Sequence, residues 1–161
     1  MKLALVFIGF AGAAQAGVAA YDACLSEGYE ARVLAKFTER FPSETCSGPD
    51  CDPWLMKSAE GLVRADCRAL ALDDCLSTKC REGLRGRWQA DADRLQAAIT
   101  RRIASLNLDA LPALQSRRLS DPARWASVVE CVGDATACDA MHAGQWLGDL
   151  ERIQTELDGL E

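Results

Sequence analysis

The sequence predicts an all-α fold, an irregular bundle of four or five helices cross-linked by disulfide bonds. Apolar residues recur at helical spacing in several long segments, and no window alternates apolar and polar residues as a half-buried strand would. Eight cysteines are spread over the 161 residues. A chain of this length suits a single domain.

The N-terminus has the pattern of a cleavable secretory signal peptide. Lys2 precedes an apolar run from residue 3 to about residue 14, and the run ends in Ala14-Gln15-Ala16. This run is shorter than the roughly 20 residues that span a bilayer, and no cysteine follows it to carry a lipid. We therefore expect residues 1–16 to be removed and residues 17–161 to form one domain in the periplasm or outside the cell, with no stable membrane anchor.

All eight cysteines follow this segment, and an even number in an exported chain predicts disulfide bonds. The Gly-Pro pair between Cys46 and Cys51 favours a turn, so we expect these two cysteines to bridge. A second local bridge is expected between Cys131 and Cys138. The remaining four are expected to link helices in a pairing that the sequence leaves open: Cys24, Cys67, Cys75 and Cys80.

Capping residues and prolines predict the ends of several helices, in addition to the apolar spacing. One begins at Tyr29 and is ended by Pro42. Another begins at Asp52-Pro53, a capping residue followed by proline at the first helical position. The short spacer between Cys75 and Cys80 predicts a corner between two helices.

The clearest helix covers residues 82–106, where apolar residues step by three or four: Leu84, Trp88, Ala92, Leu95, Ile99, Ile103 and Leu106. Ser120-Asp121-Pro122 predicts the start of a further helix that ends near Cys131, with Gly133 as its stop. A last amphipathic helix carries one apolar face: Met141, Leu147, Leu150, Ile153, Leu157 and Leu160.

No group of residues forms a catalytic or metal-binding pattern. The C-x4-C pairs suggest zinc, but His142 is the sole histidine, and an exported chain favours disulfides. His142 has no accompanying motif for general-base catalysis. The pairs Asp73-Asp74 and Asp91/Asp93 would have to face one pocket to cleave glycosides, and we expect solvated helix surface instead. We predict no enzyme, no metal and no cofactor.

The four tryptophans are expected in the core or half-buried. Two or three of them grouped on one surface would instead line a sugar- or partner-binding patch. They are Trp54, Trp88, Trp125 and Trp146.

Charge is unevenly distributed along the chain. Residues 81–124 hold nine basic residues, all arginine, against five acidic ones, whereas residues 125–161 hold one basic residue against eight acidic ones. The acidic net charge argues against nucleic-acid binding. Two interpretations are open: the arginines pair with acids on neighbouring helices, or the acidic C-terminal face is offered to a basic partner.

Residues 91–99 resemble a motif of bacterial LprI-type lysozyme inhibitors. The stretch Asp-Ala-Asp-Arg-Leu-Gln-Ala-Ala-Ile is similar to W-D-x-x-L-N-x-x-Y of that family, with Asp91, Ala92, Gln96 and Ile99 in place of Trp, Asp, Asn and Tyr. The order of the flanking residues is also similar, over roughly residues 75–157. These residues are Cys75 and Cys80 before the motif, and Trp125, Cys131, Cys138, Arg152 and Leu157 after it.

The resemblance implies an exported helical protein that inhibits a lysozyme-like cell-wall hydrolase. Such hydrolases are commonly basic, so the expected partner is a basic protein such as a lysozyme. The alternative is a structural or interaction module of the cell envelope with no enzymatic target. The sequence names neither the binding face nor the oligomeric state.

Overall fold

A computed structural model describes residues 12–44, 51–107 and 130–160 of the chain. Within these ranges the chain forms α-helices and no strand, which confirms the predicted all-α class. The five helices are α1 Gly12–Ser26, α2 Tyr29–Arg40, α3 Pro53–Asp73, α4 Thr78–Ile103 and α5 Ala135–Asp158. In these ranges no helix has both the length and the apolar character that crossing a membrane requires.

The starts of α3 and α5 are set by aspartate caps. The Asp52 carboxylate accepts hydrogen bonds from the backbone N–H groups of Trp54 and Leu55 at 2.8 and 3.2 Å. Asp134 accepts from the N–H of Ala137 at 2.9 Å in the same way. Each carboxylate satisfies N–H groups that have no partner inside the helix, so these helices begin where the chain offers a cap.

Two boundaries differ from the sequence predictions. Helix α4 begins at Thr78 rather than at residue 82, because the hydroxyl of Ser77 accepts from the Cys80 N–H and caps the helix one turn earlier. The helix predicted from residue 120 lies outside the described residues, except for Glu130 and Cys131, which are not helical.

The sequence did not predict α1. This helix is rich in alanine and glycine, and its buried positions Gly17 and Tyr21 are too few to form an apolar stripe. A Cβ at Gly17 would lie 2.6 Å from Cys80 Sγ, so α1 approaches the start of α4 more closely than a side chain would allow. The helix runs across the predicted cleavage point after Ala16, and residues 1–11 lie outside the described part.

Four helices surround one core in the spatial order α1, α4, α5, α3, and α2 packs against α3. Trp88 of α4 lies in the core and is 1% exposed. The ring of Tyr21 from α1 meets it edge-on, with centroids 5.7 Å apart and planes at 82°. The predicted apolar stripe of α4 faces this core, with Leu84, Ala92 and Ile99 buried beside Trp88. The apolar faces of four helices therefore converge on one aromatic centre.

The disulfide bonds fasten the bundle at three described places. Cys24–Cys67 joins α1 to α3 across 43 residues of sequence. Cys75–Cys80 closes the corner between α3 and α4, and Cys131–Cys138 closes the approach to α5. No cysteine in the described ranges is free. Cys46 lies outside those ranges, so the predicted Cys46–Cys51 bridge stays a prediction.

Arginines of α4 pair with acids at and within α5. Arg85 Nη1 lies 3.1 Å from Asp139 Oδ2, and Arg81 and Arg102 pair with Asp134 and Asp158. Of the two interpretations of the charge pattern, pairing between neighbouring helices therefore applies along this contact. The negative charges of Asp134, Asp139 and Asp158 are therefore partly neutralised by arginines of α4.

Removing the long-range disulfide should destabilise the fold more than removing the short one. A crosslink restricts the unfolded chain more when it closes a longer loop, so replacing Cys24 and Cys67 by alanine should lower the free energy of unfolding by about 4 kcal/mol. The same change at Cys75 and Cys80 should cost about 2 kcal/mol. Urea unfolding of the oxidised proteins measures both values. Equal losses would contradict the chain-entropy account.

Asp158→Asn should change how stability depends on pH. Burial would raise the pKa of the Asp158 carboxyl, but hydrogen bonds from Lys57, Arg102 and Gln154 lower it from 3.8 to about 2. Because the folded pKa lies below the unfolded one, the stabilisation is present above about pH 4 and is lost as the pH falls through about 2. At about pH 7 the variant should be less stable by about 1 kcal/mol, and at about pH 2 the difference should be much smaller.

Urea unfolding at both pH values checks this. Asp93→Asn is the control, because Asp93 is exposed and accepts only from Gln89 among the described residues. A difference for Asp158→Asn that stays the same at both pH values would refute the assignment.

Candidate functional site

A groove with a volume of about 690 Å³ lies between α3 and α5. The two helices are antiparallel: Lys57 Nζ lies 2.6 Å from Asp158 Oδ2 near one end, and Leu72 and Met141 line the other. Along α3 the lining extends from Trp54 to Asp73, a length of about 28 Å at 1.5 Å per residue. The groove is therefore long and follows the two helices.

Two glycines of α5 leave its backbone bare, and this allows the floor of the groove to form. Gly144 and Gly148 stand one helical turn apart. A Cβ at Gly144 would lie 3.0 Å from Trp88 Cε3, and one at Gly148 would lie 2.7 Å from Arg68 Nη2. Any larger residue would displace the indole of α4 or the guanidinium of α3, so the two glycines set how closely these side chains approach α5.

The floor holds a network of charged groups centred on Glu151 of α5. Its Oε2 accepts from Arg68 Nη1 at 2.9 Å, and its Oε1 lies 3.3 Å from Arg64 Nε. Arg64 Nη1 also donates to the hydroxyl of Tyr29 at 3.2 Å, and Tyr21 is hydrogen-bonded to Arg68. The network thus connects α1, α2, α3 and α5 through one carboxylate.

Burial and charge determine the protonation of these groups. Burial lowers the pKa of Arg64, but attraction to Glu151, Tyr29 and Glu60 outweighs burial and leaves that pKa raised. Burial raises the pKa of the Tyr21 and Tyr29 hydroxyls, so both phenols stay neutral. Arg64 therefore stays charged, and the two tyrosine hydroxyls of the network stay neutral.

The floor offers more hydrogen-bond donors than acceptors. Each guanidinium carries five N–H donors, and the two arginines share Glu151. Arg64 Nε is close to that carboxylate but is not aligned to donate to it, and it is buried without a hydrogen-bond partner in the described part of the chain. The Arg64 side chain as a whole is 25% exposed and lines the groove, so a ligand with acceptor oxygens would meet it through the part that stays exposed.

Comparisons of the chain with protein-family profiles, with curated proteins and with solved structures found no match. The resemblance to lysozyme inhibitors therefore stays a prediction.

The structure brings two of the four tryptophans to the groove. Trp54 is 53% exposed at one end, and Trp88 forms part of the floor. Trp146 is half-buried and packs on the core, whereas Trp125 lies outside the described residues. The possibility of grouped tryptophans on one binding surface thus applies to Trp54 and Trp88.

The other candidate groups lie apart from one another. His142 is exposed on α5, and Asp73-Asp74 is exposed at the end of α3. On α4, Asp91 accepts from Arg87 Nε at 2.8 Å, and Asp93 accepts from Gln89. The structure does not bring the two acidic pairs into one pocket. In the described ranges, no group of three or more His, Cys, Asp or Glu residues is placed to hold a metal ion.

The groove itself was not predicted from the sequence. Its defining residues do carry a signal, because Arg64 and Arg68, and likewise Gly144 and Gly148, are four residues apart and so share one face of their helix. The spacing does not show that these two faces meet.

A second surface lies at the end of the bundle where two disulfide loops are close together. We name it the stapled end and define it as residues 73–85 and 130–139. Leu76 is 83% exposed in the Cys75–Cys80 loop, and Val132 is fully exposed in the Cys131–Cys138 loop. Arg81 ties the loops together, because its Nε donates to the Cys75 carbonyl at 2.9 Å and its Nη1 pairs with Asp134.

The stapled end is acidic. Its three basic residues are Lys79, Arg81 and Arg85, and its six exposed acidic residues are Asp73, Asp74, Glu82, Glu130, Asp134 and Asp139. Four of these acids form no ion pair with a described residue: Asp73, Asp74, Glu82 and Glu130. The two exposed aliphatic side chains thus share this end of the bundle with an excess of acidic residues.

Glu151→Gln should destabilise the fold strongly. The change leaves Arg64 and Arg68 without their shared carboxylate, and an uncompensated charge at a largely buried site costs about 3 kcal/mol of unfolding free energy. Urea unfolding measures this loss. Glu82→Gln, at an exposed position of α4, is the matched control and should change stability by less than about 0.5 kcal/mol.

A second variant separates charge from packing. When Glu151→Leu is combined with Arg68→Met, the protein should be more stable than Glu151→Gln alone, because an apolar pair can replace a buried ion pair. If Glu151→Gln is no worse than the Glu82 control, the network does not hold the helices together.

Proposed function

We propose that this chain is an exported binding protein that presents its stapled end to a basic cell-wall hydrolase of the lysozyme type. The observation that carries this proposal is the pair of exposed aliphatic side chains, Leu76 and Val132, on two covalently closed loops in acidic surroundings.

The stapled end has the composition of a protein-binding surface. Exposed apolar side chains gain free energy when a partner removes them from water, and a polar rim is typical around such a centre. The disulfides and Arg81 hold Leu76 and Val132 in place before binding, so little conformational entropy is lost when a partner docks.

Charge favours a basic partner. The acids Asp73, Asp74, Glu82 and Glu130 form no ion pair within the described residues, and together they attract a positively charged protein and speed its encounter. The acids of α5 support this less, because α3 and α4 already provide partners for Asp139, Glu151 and Asp158. Proposed binding therefore centres on the loops rather than on the C-terminal helix.

Export accords with the disulfide bonds, which persist in oxidising compartments. Removal of the predicted signal peptide would leave Gly17 as the first residue. The mature chain would keep Tyr21, which packs on Trp88, and Cys24, which bridges to Cys67. Among the described residues, the buried core and the long-range staple therefore lie after the predicted signal segment.

A lysis assay tests the proposal. Oxidised protein at micromolar concentration should slow a lysozyme acting on a cell-wall suspension, and more so at low salt than at moderate salt because ions screen the acidic surface. Combining Leu76→Ser with Val132→Ser should weaken inhibition about tenfold or more, since two apolar contacts are lost. Leu34→Ser is the control, because Leu34 is an exposed aliphatic residue on α2, at 48%.

Two outcomes would contradict the proposal. Absence of inhibition at micromolar excess would exclude the hydrolase as partner. Recovery from envelope extract of a stoichiometric partner that is not a hydrolase, lost in the Leu76/Val132 double variant, would favour the alternative of an interaction module that uses the same surface.

A further inference from the structure

We propose that the groove between α3 and α5 is a separate ligand site that takes a small amphiphile with an aliphatic tail and an anionic, acceptor-rich head such as a carboxylate. The groove has the volume of a small-molecule site, at about 690 Å³. The site shares only Asp73 with the stapled end and does not depend on the proposed hydrolase.

One half of the groove suits an aliphatic tail. On α3 its lining residues are Ala65, Ala69 and Leu72, with Arg68 at the floor. The opposite wall on α5 is Met141, Gln145 and the bare backbone at Gly144. The indole of Trp88 closes the floor. This half is about 10 Å long along α3. A short alkyl chain would bury its methylene groups here at about 25 cal/mol per Å² of apolar surface.

The middle of the groove suits the head. Arg64 and Arg68 line this part of the groove and share the Glu151 carboxylate, and Arg64 also pairs with Glu60 at 3.4 Å. Their ten N–H groups still outnumber these acceptors. A carboxylate or phosphate matches a guanidinium in charge and in the geometry of its two oxygens. The excess of donors therefore selects a head group with acceptor oxygens.

The walls of the groove disfavour an extended peptide as occupant. An extended peptide would need partners for its N–H and C=O groups, but walls made of α3 and α5 use their own backbone groups within the helices. An alkyl chain has no such groups to satisfy.

Titration with matched eight-carbon ligands tests the site. Octanoate, octyl phosphate and octanol are added separately to the oxidised full chain, and binding is followed by calorimetry and by tryptophan fluorescence, because Trp54 and Trp88 line the groove. Octanoate should bind in a one-to-one complex, and octanol about tenfold more weakly, since it loses a charge-assisted hydrogen bond.

The two anionic ligands, octanoate and octyl phosphate, identify the preferred head group. Binding of octanoate alone supports a carboxylate ligand, and comparable binding of octyl phosphate supports the same site with a phosphate source. Octanol binding as tightly as octanoate would refute the anionic head. Absence of saturable binding by octanoate and by octyl phosphate would overturn the site.

Two variants locate the ligand. Ala69→Trp places a bulky side chain in the groove at an exposed position and should weaken octanoate binding about tenfold or more. Ala97→Trp, at an exposed position of α4 outside the groove lining, is the matched control and should leave binding unchanged. Equal weakening by both variants would refute the location.

Arg64→Lys tests the proposed role of the arginine. The variant keeps the positive charge and loses the planar fork, so octanoate should lose affinity while octanol keeps it. A merely structural role for Arg64 would weaken both ligands equally, and that result would overturn the assignment. Unfolding curves confirm that each variant is folded before titration.

Discussion

The arrangement of the helices depends on one carboxylate, that of Glu151. Arg64 and Arg68 reach it from α3 and in turn contact Tyr29 and Tyr21, so a single group on α5 connects to three other helices. A buried charge is costly unless it is paired, and α5 therefore cannot slide along α3 without breaking contacts worth several kcal/mol. The same residues account for the groove, because the arginine side chains occupy space between α3 and α5 that direct helix packing would otherwise fill.

The disulfides act where this network does not reach. Cys24–Cys67 fastens α1 to α3, and the two local bridges close loops at the stapled end, where Leu76 and Val132 have no packing to hold them. Polar pairing thus fixes the centre of the bundle, and covalent bonds fix the parts with little buried apolar surface. This division suits a small domain whose core alone provides limited stability.

Features that depend on a short stretch of sequence were predictable, whereas features that depend on which helix surfaces face one another were not. The all-α class and the buried stripe of α4 follow from apolar spacing, and the start of α3 follows from the Asp52 cap. Helix α1 gave no such signal, because Tyr21 and Gly17 are buried by neighbours far away in sequence. The partners of Glu151 and the pairing of Cys24 likewise depend on which helices become neighbours, which periodicity does not determine.

The charge pattern shows how a count along the chain can mislead about a surface. Residues 125–161 are strongly acidic in sequence, but Arg102 and Lys57 meet Asp158, and Arg68 meets Glu151, so much of that charge is neutralised within the bundle. Four exposed acids without an ion pair among the described residues lie at the end of α3 and beside the disulfide loops: Asp73, Asp74, Glu82 and Glu130. An electrostatic argument about partners therefore has to start from the acids that folding leaves unpaired, and in this protein four of them lie on the stapled end together with the two exposed aliphatic residues.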